Sequence, residues 1–325
     1  MIISIKLSKT TYGIGYLTSK RRIHSTAIYC FDSVRRLGSI REASRTLHIA
    51  TSAVSRQIQK LEDDLDVQLF ERSPNGLKLT SAGESFARHA QFVLKDAERL
   101  YSEIDAIKGI QKGHIEIATV EGPSIELIPR VIKKFKTRFS NITVGVHVIG
   151  SSKMPELIIN GEVDIGLAFD IENQRDLNQL WVKNYVLGAV VSKDHPLTYK
   201  NKTGLQECCA YPLILSKKGL SIHKHLSSFI SLIDSSHQVI ETNSVELSRK
   251  LALSGMGVTF QTIIGIEEDL ANKRLFHIPI THPSVMNSEL GVYVRSNRTL
   301  PVAADYFVRD LIHELSQAAE SATSR

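Results

Sequence analysis

The chain has 325 residues, 42% of them hydrophobic and 23% charged, a near-average globular composition with room for about two domains that each bury a core. No run approaches the roughly 18 apolar residues of a membrane span. The three cysteines, Cys30 and the adjacent Cys208 and Cys209, are too few and too irregularly placed for a secreted disulfide framework, so no membrane partner and a cytoplasmic setting are expected.

In chain order, residues 1–23 mix hydroxyls, lysines and glycines without a continuous apolar stretch. They are expected to form an N-terminal extension rather than a signal peptide. The net charge of +6 sits at the front: residues 1–80 carry 13 Lys+Arg against 7 Asp+Glu, whereas residues 113–325 carry 22 of each. A basic front on a neutral remainder points to a polyanion such as nucleic acid.

Ile28, Phe31, Val34 and Leu37 recur at helical spacing and end at Gly38, a favourable C-terminal cap. A second apolar series, Ile40, Ala43 and Leu47, and a third, Val54, Ile58, Leu61 and Leu65, flank the short stretch "HIATS". Two further helices are implied, with the small Ala43 at their crossing and Thr51 or Ser52 able to cap the second.

Opposite the apolar stripe of that second helix stand Ser52, Arg56 and Gln59, flanked by Ser55, Gln57 and Lys60, with Thr51 at its start. The carboxylates Glu62, Asp63 and Asp64 are held back to its far end. Donors concentrated at a helix N-terminus suit entry into a major groove, where Arg donates twice to guanine and Gln pairs with adenine. Downstream, Pro74-Asn75-Gly76 marks a turn between Arg72 and Lys78. A two-stranded wing is expected there, its two cations reaching phosphates.

Residues 26–86 now resemble the N-terminal domain of LysR-type transcriptional regulators. The resemblance rests on Phe31, "GSI" ending at Ile40, Ala43-Ser44, Leu47, Ile49, "SAVSRQIQKLEDDL" ending at Leu65, "VQLFER" ending at Arg72, Gly76, Leu79-Thr80 and Ala82-Gly83. It implies a winged helix-turn-helix bound to double-stranded DNA. That family often opens its recognition helix with Ser-Gln-Pro, whereas this chain has Ala50-Thr51-Ser52, so base preference does not carry over.

After Gly83, Phe86, Ala90, Val93, Ala97, Leu100, Ile104 and Ile107 repeat at steps of four and three. This heptad seam predicts a long helix whose stripe needs a partner, either a second chain or the chain's own second domain. The resemblance implies dimerisation through such a helix, and permits a tetramer. With two-fold pairing the DNA site would be approximately palindromic.

From Gly113 strands and helices alternate: "HIEIATV", "SIELIPRVIKKFKTRF", "ITVGVHVI", "SKMPELIIN" and "VDIGLAF" read as βαβαβ. A second set runs through "WVKNYVLGAVV", "YPLIL", "IHKHLSSFISLI", "HQVIET", "SVELSRKLALS" and "GVTF", then "ELGVYVR" and a terminal helix. A mainly parallel sheet covered by helices is expected, organised as two α/β lobes around a hinged cleft. "IPRVIKKFKTRF", "GEVDIGLAF", "HPL" ending at Leu197 and "TNSVELSRKLALSGMGVTF" ending at Phe260 resemble the effector-binding domain of the same regulators, itself periplasmic-binding-protein-like.

The expected architecture is therefore a multidomain α and α/β chain: extension 1–23, winged helix-turn-helix 24–82, linker helix 83–112 and a two-lobed effector-binding domain 113–325. Strand ends and helix N-termini facing the cleft make Gly122, Ser124, Ser151, Ser152, Ser221, Thr242 and Asn243 candidate effector contacts. The resemblance implies a small organic anion in many relatives. Glu121, if it faces the cleft, would instead favour a neutral, amine-bearing or zwitterionic ligand.

The chain carries no HExxH, paired CxxC, P-loop or GxSxG. His223 and His225 diverge by about 200° on a helix and would not converge on one metal. Gly255-Met256-Gly257 reads as a helix end, and the Asn-x-Thr triplets at Asn141, Asn201 and Asn297 as irrelevant in the cytoplasm. Cys208 and Cys209 admit a vicinal redox pair or two ordinary thiols, the strain of an adjacent-residue disulfide favouring the thiols. The expected function is a DNA-binding transcriptional regulator controlled by a small molecule, without catalysis, metal or cofactor, and touching RNA polymerase if it activates. The alternative is a solute-receptor-type binding module without specific DNA recognition, and a cleft enzyme ranks third.

Overall fold

The computed structural model describes residues 23–74, 76–107, 113–231, 233, 237–282, 284–296 and 299–323. The expected extension therefore lies outside the described residues except for Ile23, as does Asn297. The chain forms two compact units, residues 1–108 and 109–325.

In the first unit, α1 (Thr26–Leu37), α2 (Ile40–Leu47) and α3 (Thr51–Leu65) are followed by β1 (Phe70–Ser73), β2 (Gly76–Leu79) and α4 (Ser81–Ile107). Phe31, Val34, Ala43, Leu47, Val54, Ile58 and Leu69 form one buried cluster with Ala87, Ala90 and Leu94 of α4. Phe31 anchors it, its ring 5.1 Å from Phe70 and 4.7 Å from Phe86. Because α4 covers a second side of α1, the buried face of α1 is wider than the expected stripe and rotated from it. Ala27, Tyr29 and Cys30 are buried, Ile28 only half-buried and Leu37 exposed. Leu65, expected in the core stripe of α3, is likewise 46% exposed, lying beyond the point where α1 and α2 cover that helix.

The α2–α3 turn is closed by His48 in the left-handed region (φ 56°), with the Ile49 N–H donating to the Ser44 carbonyl at 3.1 Å. Neither Thr51 nor Ser52 caps α3; the N-cap is Ala50, which has no side chain to offer. Instead, the Thr51 hydroxyl lies 3.1 Å from that of Ser44, tying the two helices together. The wing is an antiparallel pair with Ser73 opposite Gly76. Gly76 has φ 111°, and a Cβ there would come within 2.6 Å of the Gly38 carbonyl oxygen, to which Leu77 N–H donates at 2.9 Å. Only glycine fits this approach of the wing to the end of α1.

The second unit contains two sheets. The first has the order β4-β3-β5-β13-β6, from β3 (Gly113–Thr119), β4 (Ile142–Val148), β5 (Ile165–Phe169), β6 (Leu177–Val186) and β13 (Asn287–Arg295). The second has the order β10-β9-β11-β7-β12-β8, from β7 (Gly188–Ser192), β8 (Thr203–Gly204), β9 (Leu213–Ser216), β10 (Val239–Thr242), β11 (Val258–Gln261) and β12 (Leu275–His282). Phe135, Ile158, Leu167 and Phe307 centre the core of the first lobe, and Leu187, Leu213, Val258 and Phe260 that of the second.

Both sheets are mixed rather than mainly parallel, since β13 runs antiparallel to β5 and β6, and β7 runs antiparallel to β11 and β12. These are the strands that enter and leave the lobes, so their direction follows from the crossovers. "WVKNYVLGAVV" is accordingly not one strand: it changes sheet at Leu187, whose N–H donates to the Met286 carbonyl at 2.7 Å. Strand β12 was not anticipated, because the interior Pro279 disguises it. The expected helix from Ser124 splits into α5 (Glu121–Ile125) and α6 (Leu127–Arg138). The Pro129 ring would clash with the Ile125 carbonyl of an unbroken helix. The remaining helices are α7 (Met154–Ile159), α8 (Leu205–Cys208), α9 (Ser221–Ile230), α10 (Val245–Leu253), α11 (Glu267–Ala271) and α12 (Val302–Thr323).

Candidate nucleic-acid interface and effector cleft

The outer face of α3 is built by default: burying Val54 and Ile58 turns Thr51, Ser52, Ser55, Arg56, Gln59 and Lys60 to the exposed side, with Gln57 half-buried at its margin. The Arg56 guanidinium Nε lies 3.4 Å from the Ser52 carbonyl, leaving its other donors pointing outward. Glu62 is kept off this surface. Its carboxylate accepts from the Leu69 and Phe70 N–H groups at 2.8 and 3.2 Å, fastening the start of the wing to α3.

Arg72 and Lys78 are both exposed, but Arg72 pairs with Leu77 and Lys78 with Glu71. Side chains alternate across a strand, so the two cations stand on opposite faces of the ribbon. Arg72 stands opposite Leu77, whereas Lys78 faces Glu71.

Of the expected pairing residues on α4, Phe86 and Ala90 are taken up in the head's own core, with Ala90 fully buried. Those two are corrected from a pairing role, because α4 must first cover α1. Ala97 is buried, Val93 and Ile104 are half-buried, and Leu100 is 40% exposed. The Ile107 side chain lies outside the described residues.

In the second unit, the inner end of the cleft is a small cavity of about 40 Å³ lined by Glu121, Gly122, Ser151, Phe169, Ser221, Val245, Gln261 and their neighbours. It continues into a wider recess of about 560 Å³, where Ser151, Ser152 and Ser221 meet Asp170, Lys218 and Lys224. Four of the seven expected contacts, Gly122, Ser151, Ser152 and Ser221, therefore line the cleft. Ser124, Thr242 and Asn243 stand outside both spaces: the Ser124 hydroxyl donates to the Glu121 carbonyl at 2.6 Å, and Thr242 Oγ1 accepts from Ser244 N–H at 3.1 Å. These are turn and cap bonds local to the chain.

Glu121 does face the cleft, and its carboxylate is already engaged. Oε1 accepts from the Ser244 hydroxyl at 2.7 Å and Glu246 N–H at 3.2 Å, and Oε2 from Val245 N–H at 2.6 Å. A side chain of the first lobe thus occupies the positive N-terminal end of α10 in the second. Glu126 repeats the device, its oxygens accepting from Glu268 N–H at 3.2 and 3.3 Å on α11. Between the two, a Cβ on Gly265 (φ 87°) would come within 2.5 Å of the Gly122 carbonyl. Gly122 is thus a point of close contact between lobes as well as a lining residue.

Burial, together with the charge of Glu126, pushes Glu267 up to about 7. Gln261 is 3% exposed and Ser151 7% exposed, and neither the Gln261 amide nor the Ser151 hydroxyl has a hydrogen-bond partner among the described residues. Position at the end of β11 is the one signal by which Gln261 could have been anticipated.

Asp170, which lines the recess, also touches a Ser and a His. Asp170 Oδ2 accepts from Ser288 Oγ at 2.6 Å and lies 2.8 Å from His225 Nε2. The carboxylate is central, so the hydroxyl does not bond the imidazole as an activated nucleophile must. The group joins α9 of the second lobe to the first, as does the 3.0 Å Lys224–Glu172 pair. His223 is separately engaged, its Nδ1 2.7 Å from the Ser216 carbonyl. Burial pushes the Cys208 thiol up to about 12, and Cys208 and Cys209 are free.

Residues 25–84 match the family profile described as "Bacterial regulatory helix-turn-helix protein, lysR family", and residues 108–316 match "LysR substrate binding domain". A "Probable RuBisCO transcriptional regulator" of Synechocystis sp. is 26% identical over 286 residues, 86% of this chain and 83% of that one. The "Uncharacterized HTH-type transcriptional regulator YdcI" of Escherichia coli is 27% identical over 285 residues, 86% and 92% of the two chains. Among solved structures, a full-length OxyR variant from Pseudomonas aeruginosa superposes with TM-score 0.71 at 19% identity, covering 90% of this chain and 95% of that one. CbnR complexed with its target DNA gives 0.58 at 18% identity, covering 89% and 99%. These structures share the fold.

Proposed function

The chain belongs to the LysR family of bacterial transcriptional regulators, and from that premise we propose how this one divides its work. It is a regulator that binds DNA through a helix-turn-helix and responds to a small-molecule effector in its C-terminal domain. The division is a reading head over residues 24–82, a linker helix over 83–112 and an effector domain over 113–325.

Arg56, Gln57 and Gln59 read base edges from the major groove, while Thr51, Ser52, Ser55, Lys60 and Arg72 hold phosphates. Lys78, opposite Glu71, contributes less. Val93, Leu100 and Ile104 pair two copies of the linker helix, so that two heads meet one duplex and the preferred site is approximately palindromic. The effector enters between the lobes through the recess lined by Ser151, Ser152 and Ser221. It acts by favouring one arrangement of the paired heads, which requires unequal affinity for the two arrangements. The protein works in the cytoplasm and turns nothing over; the engaged Glu121 and the central position of Asp170 support that reading.

The observation that carries this proposal is the acid-free, exposed first half of α3. Selection from genomic fragments at moderate salt, with metabolite extract present, should enrich a duplex over random DNA. Failure to enrich any sequence rejects specific recognition by this face.

A further inference from the structure

We propose that the inner cleft takes a small uncharged molecule with a carboxamide, lactam or imide edge, and that Glu121 is a built-in carboxylate filling the position an anionic ligand would need. The inference deepens the effector reading above and rests on it. Two independent observations meet here. Glu121 crosses from the first lobe and satisfies the Ser244 hydroxyl and the Val245 and Glu246 N–H groups at the start of α10. An anion arriving at that helix would find its donors taken and a fixed negative charge beside it, while Glu121 is the only ionisable side chain lining the inner cavity among the described residues. The cations Lys218 and Lys224 line only the outer recess, and Lys224 is paired with Glu172.

The second observation is what the cavity leaves unmet. Gln261 and Ser151 line this cavity, and among the described residues the Gln261 amide oxygen and nitrogen and the Ser151 hydroxyl are buried without a hydrogen-bond partner. Buried polar groups are almost always bonded, so three such atoms around one cavity mark the partners of an absent molecule. A side-chain amide offers a donor and an acceptor side by side, and its complement is another neutral edge of the same kind. A carboxylate can accept from the Gln261 nitrogen but leaves its oxygen facing oxygen. An ammonium group can donate to that oxygen but leaves the nitrogen unmet.

The test compares propionamide with propionate, near-isosteric and differing in charge, by saturation-transfer NMR on the full-length protein. Saturable binding is expected for propionamide, and none for propionate at the same concentrations. Gln261→Leu should abolish the propionamide signal with the thermal transition retained. Glu121→Ala, which frees the α10 donors and removes the charge, should raise propionate affinity by about tenfold or more.

Propionate binding as well as propionamide in the wild type, no propionamide signal at all, or a propionamide signal unchanged by Gln261→Leu would each overturn the proposal. Fragment selection run on the same preparation separates the two readings. Enriched DNA with the wrong ligand preference sinks only the ligand class, whereas absent enrichment sinks the regulatory reading whatever the cleft binds.

Discussion

The reading head and the effector domain place their polar groups oppositely. On α3 the hydroxyls, amides and guanidinium point to water, and the core beneath them is closed by residues close in sequence, such as Val54 and Ile58. In the cleft the polar groups are buried, and Glu121 is satisfied by partners far along the chain, Ser244 and Val245. A surface for a large, strongly charged partner can stay solvated until that partner arrives. A site for a small molecule must exclude water and therefore hold its donors and acceptors in place beforehand.

That contrast can be broken most severely in the effector domain. Asp269 is fully buried between Arg249 Nε at 2.6 Å and Arg274 Nε at 2.7 Å. Asp269→Ala removes the carboxylate the two guanidinium groups share, leaving Arg249 with Glu246 and Arg274 with Glu268, and should cost about 3 kcal/mol. Calorimetry should show the loss in the effector domain's transition while the head's transition stays in place; equal losses in both would contradict their independence.

Next in size, Arg56→Ala should weaken the selected duplex by about 1–3 kcal/mol and relax its sequence preference, whereas Arg72→Ala should weaken all sequences alike. Competition binding against random DNA distinguishes them, and identical effects would erase the assigned split between base and phosphate contacts. On the linker, Leu100→Glu should weaken the dimer by about tenfold in sedimentation, since each copy would bring an unpaired charge to the seam. An unchanged association constant would remove α4 as the pairing element.

The smallest effect sharpens the comparison through pH. Glu267, beside Glu126 and the Gly265 N–H, is held by burial at about 7 against an ordinary 4.5. The fold therefore prefers its protonated form: that contribution is complete below pH 4.5 and is lost as pH rises through about 7. Melting temperature should fall by a few degrees across that window, and Glu267→Gln should remove this part of the slope. A variant whose slope matches the wild type would show that the pair does not sense pH.

Much of the head was legible in the sequence because its determinants are local. Helical spacing located α1, α2 and α3, and the turn at Pro74-Asn75-Gly76 located the wing. What failed there failed for a non-local reason: α4 covers α1, so Phe86 and Ala90 serve the core. In the cleft, strand ends and helix starts led to Gly122, Ser151, Ser152 and Ser221. Thr242 and Asn243 have the same local signature but line neither space, Ser244 and a carboxylate from 123 residues away standing at the start of α10.

Alone, the amino-acid order determined the family, the helices and wing of the reading head, and the donor-rich face of α3. Periodicity and turn chemistry act between residues a few positions apart. Only the tertiary structure decided which face of α1 is buried, which seam residues remain for a partner, and that Glu121 closes the α10 end of the cleft while Gln261 stands unpaired inside it. Those outcomes depend on the approach of segments distant along the chain, and no local spacing encodes which of several capable hydroxyls, amides and carboxylates will meet.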